Sequence, residues 1–183
     1  SDGVLAIAIT LLVLEISVPE SDFDHLWRGI ANQWPSYLAY ATSFLTIGGI
    51  WLYHHAIFRR LAYADSNIIR LNLGLLMTVS FLPFPTKLMA ESLHAHNGEH
   101  AAVLFYGACL LVNASLLAAL GRYSAREGLI PDETDRANVR RAADAISPNL
   151  GFYGVIILAA AFIPRAAVYG FLVLAIRAIL GTR

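Results

Sequence analysis

The chain alternates long apolar runs with short polar breaks, and the runs have the length of membrane-crossing helices. Val4–Val18 is apolar apart from Thr10, Glu15 and Ser17. Trp34–Phe58 opens on Trp34-Pro35, an aromatic suited to the interface followed by a proline where a helix can begin. Leu71–Leu93 carries Pro83, Pro85 and Lys87, while Ala101–Tyr123 is the cleanest run. Leu150–Ile163 is short and is expected to recruit part of the amphipathic stretch Ala137–Ser147; Ala166–Leu180 follows after Pro164-Arg165. A helix needs roughly 20 residues to cross the hydrocarbon core. None of the runs shows the period of two that marks barrel strands. The pattern predicts an all-α, polytopic membrane protein of six transmembrane helices, forming one domain over residues 1–183.

Positive charge orients the spans. Arg59, Arg60 and Arg70 lie between the second and third, and Arg122, Arg126, Arg136, Arg140 and Arg141 between the fourth and fifth. The opposite loops hold Arg28 and Arg165 beside Glu20, Asp22, Asp24, Glu91 and Glu99. Arginine-rich loops stay in the cytoplasm, so both termini are expected there. Composition agrees: 57% of residues are hydrophobic and 14% charged, against about a quarter charged in a soluble domain. Mean hydropathy is +0.59. The formal net charge of zero gives no basic stripe for nucleic acid. The single cysteine, Cys109, excludes an internal disulfide. No basic segment precedes the first run and Glu15 closes it, so no cleavable signal peptide is visible. Because the chain starts at Ser1 and not at Met, native residues are expected before it.

The chemistry-bearing residues are few. Asp2 stands at the cytoplasmic edge of the first span, as a helix cap, as a functional carboxylate, or as both. Ile7, Leu11 and Leu14 share one helical stripe flanked by Gly3 and Thr10; spacing alone leaves open whether it meets lipid, protein or a pore. His54 and His55 are adjacent and point in different directions, which disfavours a shared metal; one of them can bond into the bundle, and Asp2 is a candidate partner. Pro83 and Pro85 are expected to kink the third span. Lys87 is expected to reach outward or to pair with Glu91. His94, His96, Glu99 and His100 form an outer loop that could hold a divalent metal; the pattern is weak, and a solvated polar loop is the expected reading. No potassium-filter sequence, phosphate loop, nucleophile elbow or internal repeat is present. No nucleophile, base and orienting group fall at a recognisable spacing, so an enzyme is not expected.

Ser1-Asp2-Gly3 and the run to Glu15 resemble the first-helix signature of bacterial homologues of the lysosomal/endosomal potassium channel, Arg-x-x-x-Phe-Ser-Asp. Trp51-x-x-His54-His55 and Phe81-Leu82-Pro83-Phe84-Pro85-Thr86 match further motifs of that family. The signature's Arg and Phe have no counterpart here. The resemblance implies a homotetramer in the bacterial inner membrane, surrounded by lipid, whose first helices enclose a central pore without a re-entrant filter. It implies constriction by rings of Ile7, Leu11 and Leu14 with Thr10 as a polar layer, and a cytoplasmic network around Ser1, Asp2, His54 and His55. Glu15 and Glu20 would then make the outer mouth acidic. The implied function is a potassium-preferring cation channel with no cofactor beyond the permeant potassium ion. The alternative is a proton-coupled or substrate transporter that uses Asp2, His54 or His55 as a relay.

Overall fold

The computed structural model describes residues 1–17 and 19–180, the side chains at 20–22, 145 and 147–149 excepted. The described residues form helices α1 (Asp2–Leu11), α2 (Leu26–Asn32), α3 (Trp34–Phe58), α4 (Ser66–Phe81), α5 (Pro83–Ala95), α6 (Glu99–Arg126), α7 (Glu133–Ala160) and α8 (Pro164–Leu180). The architecture is all-α. Among the described residues, Ser66–Ala95 and Glu99–Arg126 are long and apolar enough to cross a membrane. α3 has the length at 25 residues, but tyrosine, threonine, serine and histidine dilute it. The apolar end of α7, Leu150–Ala160, is shorter.

The helix boundaries follow from local chemistry. α1 tightens into a 3-10 turn over Leu12–Glu15 and gives way to extended backbone at Ile16, short of the expected end at Val18, which lies outside the described residues. α3 starts at Trp34-Pro35, where the missing proline N–H costs nothing. α4 is capped by Asp65, whose carboxylate accepts the Ile68 N–H at 2.8 Å, and α7 by Asp132, which accepts the Asp135 N–H at 2.8 Å. At Leu82 the chain steps from α4 to α5 without leaving the right-handed helical region, so the proline pair interrupts the helix and the two halves remain one apolar stretch. α5 and α6 are joined by a tight turn in which His96 and Gly98 have φ of 53° and 70°. α7 is continuous from its charged start into its apolar end, Leu150–Ala160.

α6 packs along α7, α3 along α8, and α1 against both α3 and α4. The core includes Ile47, Ile57, Leu75, Tyr106, Leu110, Leu120 and Phe171. One polar cluster is buried within it. The Ser43 hydroxyl lies 2.7 Å from that of Thr86 and 2.9 Å from that of Tyr106, so α3, α5 and α6 share a satisfied network in place of unpaired polar atoms. α6 and α7 approach closely because Gly107 has no side chain; a Cβ there would stand 2.7 Å from Ile157 and 2.8 Å from Phe171.

Candidate functional site: the first helix and its anchors

α1 has two unlike faces. Leu5, Ala8 and Leu12, three and four residues apart, are buried against the bundle. Ile7, Leu11 and Leu14 fall on the opposite side and are 60%, 42% and 72% exposed. Thr10 shares that exposed side, and its hydroxyl donates to the Ile7 carbonyl at 2.9 Å. Its hydrogen is therefore satisfied within the helix, and its oxygen still faces outward.

The start of α1 is tied down by groups from α3 and α4. The Trp51 indole N–H donates to the Asp2 carboxylate at 3.1 Å. The Asn72 amide donates to the Ser1 hydroxyl at 3.1 Å, and its carbonyl oxygen lies 2.8 Å from His54 Nε2. An amide oxygen only accepts, so His54 donates from Nε2. His54 is 1% exposed and stacks on Phe58 with ring centroids 4.2 Å apart. Its Nδ1 is buried without a hydrogen-bond partner. His55 is half-buried, its ring 5.6 Å from that of Trp51. Asp2 and His54 are thus held by separate partners, Trp51 and Asn72, and do not bond each other. Trp51 and Asn72 are the residues that the motif reading left without roles. Asn72 was detectable as a lone amide in the apolar run Leu71–Leu76, where a polar side chain needs a partner.

The other end of α1 is held by charge. Lys87 Nζ on α5 lies 3.3 Å from the Glu15 carboxylate, so Lys87 turns to the first helix and not to Glu91. The side chain of Glu20 lies outside the described residues. Further along this side, Arg165 grips Glu99 with two hydrogen bonds, Nη2 to Oε1 at 2.9 Å and Nε to Oε2 at 3.2 Å, and also contacts His96. His100 bonds the Ala160 carbonyl at 3.1 Å. Among the described residues no group of three or more histidine, cysteine, aspartate or glutamate side chains is placed to hold a metal ion.

Across the bundle, Arg60 pairs with Asp135 at 2.9 Å and Arg122 with Asp144 at 3.3 Å. The Tyr123 hydroxyl donates to Asp65 at 2.5 Å. That bond, with the N–H of Ile68, holds the Asp65 carboxyl below its usual range.

The arrangement supplies a helix anchored at both ends, with an apolar face turned away from its own bundle. Residues 1–83 match the model of the family described as endosomal/lysosomal potassium channel TMEM175. A potassium channel of Streptomyces collinus is 42% identical over 143 residues, covering 78% of this chain and 69% of the relative. A potassium channel of Chamaesiphon minutus is 41% identical over 156 residues, covering 83% and 74%. The crystal structure of a lysosomal potassium-selective channel TMEM175 homologue from Chamaesiphon minutus superposes with a TM-score of 0.88 at 37% identity, over 100% of this chain and 94% of that one. With family motif, relatives and fold in agreement, the chain belongs to the TMEM175 family, together with its bacterial members.

Proposed function

We propose that this protein is a potassium-preferring cation channel in which four copies surround a central pore lined by α1. Its being a potassium channel follows its family and its relatives. The four-fold assembly, the six spans and the constriction are our reading. In it α1, α3, α4 with α5, α6, α7 and α8 each cross the cell membrane, and both termini face the cytoplasm, on the side of Arg59, Arg60, Arg122 and Arg126.

The observation that carries the pore is the exposure of Ile7, Leu11 and Leu14 on a helix whose other face is packed. On a membrane helix such a stripe meets either lipid or another copy of the chain, and membership of a channel family favours another copy. Four such stripes facing one another form successive apolar rings. A narrow apolar neck empties of water and blocks ions; a small outward movement of the four helices wets it. Potassium holds its hydration shell less tightly than sodium, which favours potassium where the shell must be stripped. No cofactor takes part.

At the outer mouth Glu15 is balanced by Lys87. Any acidic field there rests more on Glu20, Asp22 and Asp24, which would raise the local cation concentration.

The test is potassium flux in liposomes. Leu11→Ala widens one ring and Ile7→Asn wets another, and both are expected to raise resting flux about tenfold or more, an effect of ~1.4 kcal/mol on the closed neck. If both variants conduct as the parent does, the constriction lies elsewhere. Saturable, pH-driven uptake in place of passive current would favour the transporter alternative.

A further inference from the structure

α1 has a different neighbour on each side. The Asp2 carboxylate at its start accepts the Trp51 N–H from α3. Ser1 is bonded by Asn72 on α4, and Glu15 pairs with Lys87 on α5. So α3 forms one flank of α1, and α4 with α5 forms the other. Both flanks turn an apolar stripe away from the bundle. On α3, Tyr37, Ala41, Phe44, Gly48 and Trp51 recur at steps of four and three, which is one helical face, and its three aromatic side chains are exposed. On α4 and α5, Leu73, Met77 and Phe84 lie on one face at steps of four and seven and are exposed.

The two stripes have unlike relief. A Cβ at Gly48 would meet no atom within 4 Å, and Ala41 is the other small position, so the α3 stripe is a row of aromatic rings separated by hollows. The opposite flank carries the protruding, flexible Met77 beside Leu73 and the Phe84 ring. Small residues that let helices approach closely mark helix–helix contacts in a bilayer, where apolar character alone does not separate lipid from protein. Heights agree as well. His54 bonds Asn72 at one level of the bundle, and Ser43 lies beside Thr86 at another. α3 runs antiparallel to α4 and α5, and between those two fixed points each helix rises about 1.5 Å per residue. Met77 therefore stands at the level of the turn that holds Gly48, and Phe84 at the level of Phe44. Copies related by rotation about an axis along the membrane normal share these levels, so a match within one chain is a match between neighbours.

With the open face of α1 turned to an axis, rotation brings the α3 flank of each copy to the α4–α5 flank of the next. We propose that this contact between unlike flanks is the subunit interface, with Met77 of one copy seated in the hollow at Gly48 of its neighbour and Phe84 against Phe44. The inference rests on the proposed ring around α1 and adds which surfaces close it. A contact between unlike faces closes into a ring, whereas two α3 flanks meeting each other would give a two-fold pair with no central pore. The long unbranched Met77 side chain suits a shallow hollow, and two phenylalanine rings at one level can meet edge to face.

Two versions of the full chain, both with Cys109→Ser, carry Phe44→Cys or Phe84→Cys and different tags. They are expressed singly and together, and treated in the membrane with a short bifunctional thiol reagent. Particle mass without the reagent is read in detergent. The reagent is expected to join unlike chains when both are present and to give no linked pair when either is present alone. Phe44→Cys linking to itself, or a four-copy particle with no link between unlike chains, would overturn the proposal and leave the ring standing; a monomer by mass would overturn both. Gly48→Leu fills the hollow without touching its own chain and favours the helix. It should cut the four-copy fraction about tenfold with helix content kept. An unchanged fraction would overturn the seat at Gly48.

Discussion

At the residue scale, the anchors of α1 and the tight packing behind it make separate predictions. Asn72 hydrogen-bonds both Ser1 and His54. Replacing it by leucine leaves His54 buried with neither nitrogen paired, at a cost of about 1–3 kcal/mol. Thermal unfolding in detergent should show the loss, and the start of α1 should become susceptible to protease. Gly107→Ala puts a methyl group against Ile157 and the ring of the buried Phe171. Overpacking of this kind costs about 1–3 kcal/mol. The variant should melt lower, and trimming Ile157 to alanine in the same chain should recover part of the loss.

The Asp65 carboxyl is held low by the Tyr123 hydroxyl and the Ile68 N–H. A depressed folded-state value contributes stability above the unfolded value, and that contribution disappears as pH falls through the folded one. Tyr123→Phe should therefore lower the melting temperature near neutral pH, and the gap from the parent should close as pH falls below about 4.

At the scale of elements, the Glu15 end of α1 depends on α5. Lys87 and Glu15 form a cross-helix pair that is partly open to solvent, so its direct energy is modest. Its electrostatic consequence is larger. Lys87→Gln uncovers one negative charge per subunit at the proposed outer mouth. Potassium flux should rise at low ionic strength, and the gain should fade as salt shortens the screening length to about 8 Å or less. An unchanged flux at low salt would mean that Glu15 does not face the permeation path.

The elements also show where a linear reading reaches and where it stops. α3 matched the run Trp34–Phe58 at both ends because Trp34-Pro35 and the arginines after Phe58 are strong local signals. α7 was read only as a short run with a recruited stretch. Its start is marked by the Asp132 cap, and its apolar half by hydropathy, but nothing local states that they are one helix. α2 was missed. Seven residues with Trp27 largely exposed form no apolar run, and the helix owes its place to the chain on either side. The Lys87–Glu15 pair spans a long stretch of sequence, whereas Glu91 stands one helical turn from Lys87; proximity along the chain pointed to the wrong carboxylate. The stripe on α1 could be seen in the spacing of Ile7, Leu11 and Leu14. Which stripe of α1 is packed depends on α3 and α4, so only the fold distinguishes the Leu5–Ala8–Leu12 face from the open one.

For the whole molecule, the account has one bundle serving two surfaces. Its interior is closed by apolar packing and by the Ser43–Thr86–Tyr106 cluster. Its first helix is a separate piece laid against α3 and α4, with an uncovered apolar face. In a lone copy that face would meet lipid; in the proposed tetramer four copies turn it onto a shared axis. Cross-linking in the membrane and mass measurement in detergent should both return four copies. A monomer would remove the basis for a shared pore.

The central claim, that the open face of α1 lines the conduction path, can be tested through thiol access. Cys109 is first replaced by serine, and single cysteines are then placed at Ile7, Leu11 and Leu14 on the open face and at Leu5 and Leu12 on the packed face. Silver ion, close to potassium in size and reactive toward thiols, is applied during potassium current recording. The account predicts rapid, irreversible block at positions 7, 11 and 14, with positions 5 and 12 unaffected. Block at 5 and 12 with 7, 11 and 14 left conducting would contradict it.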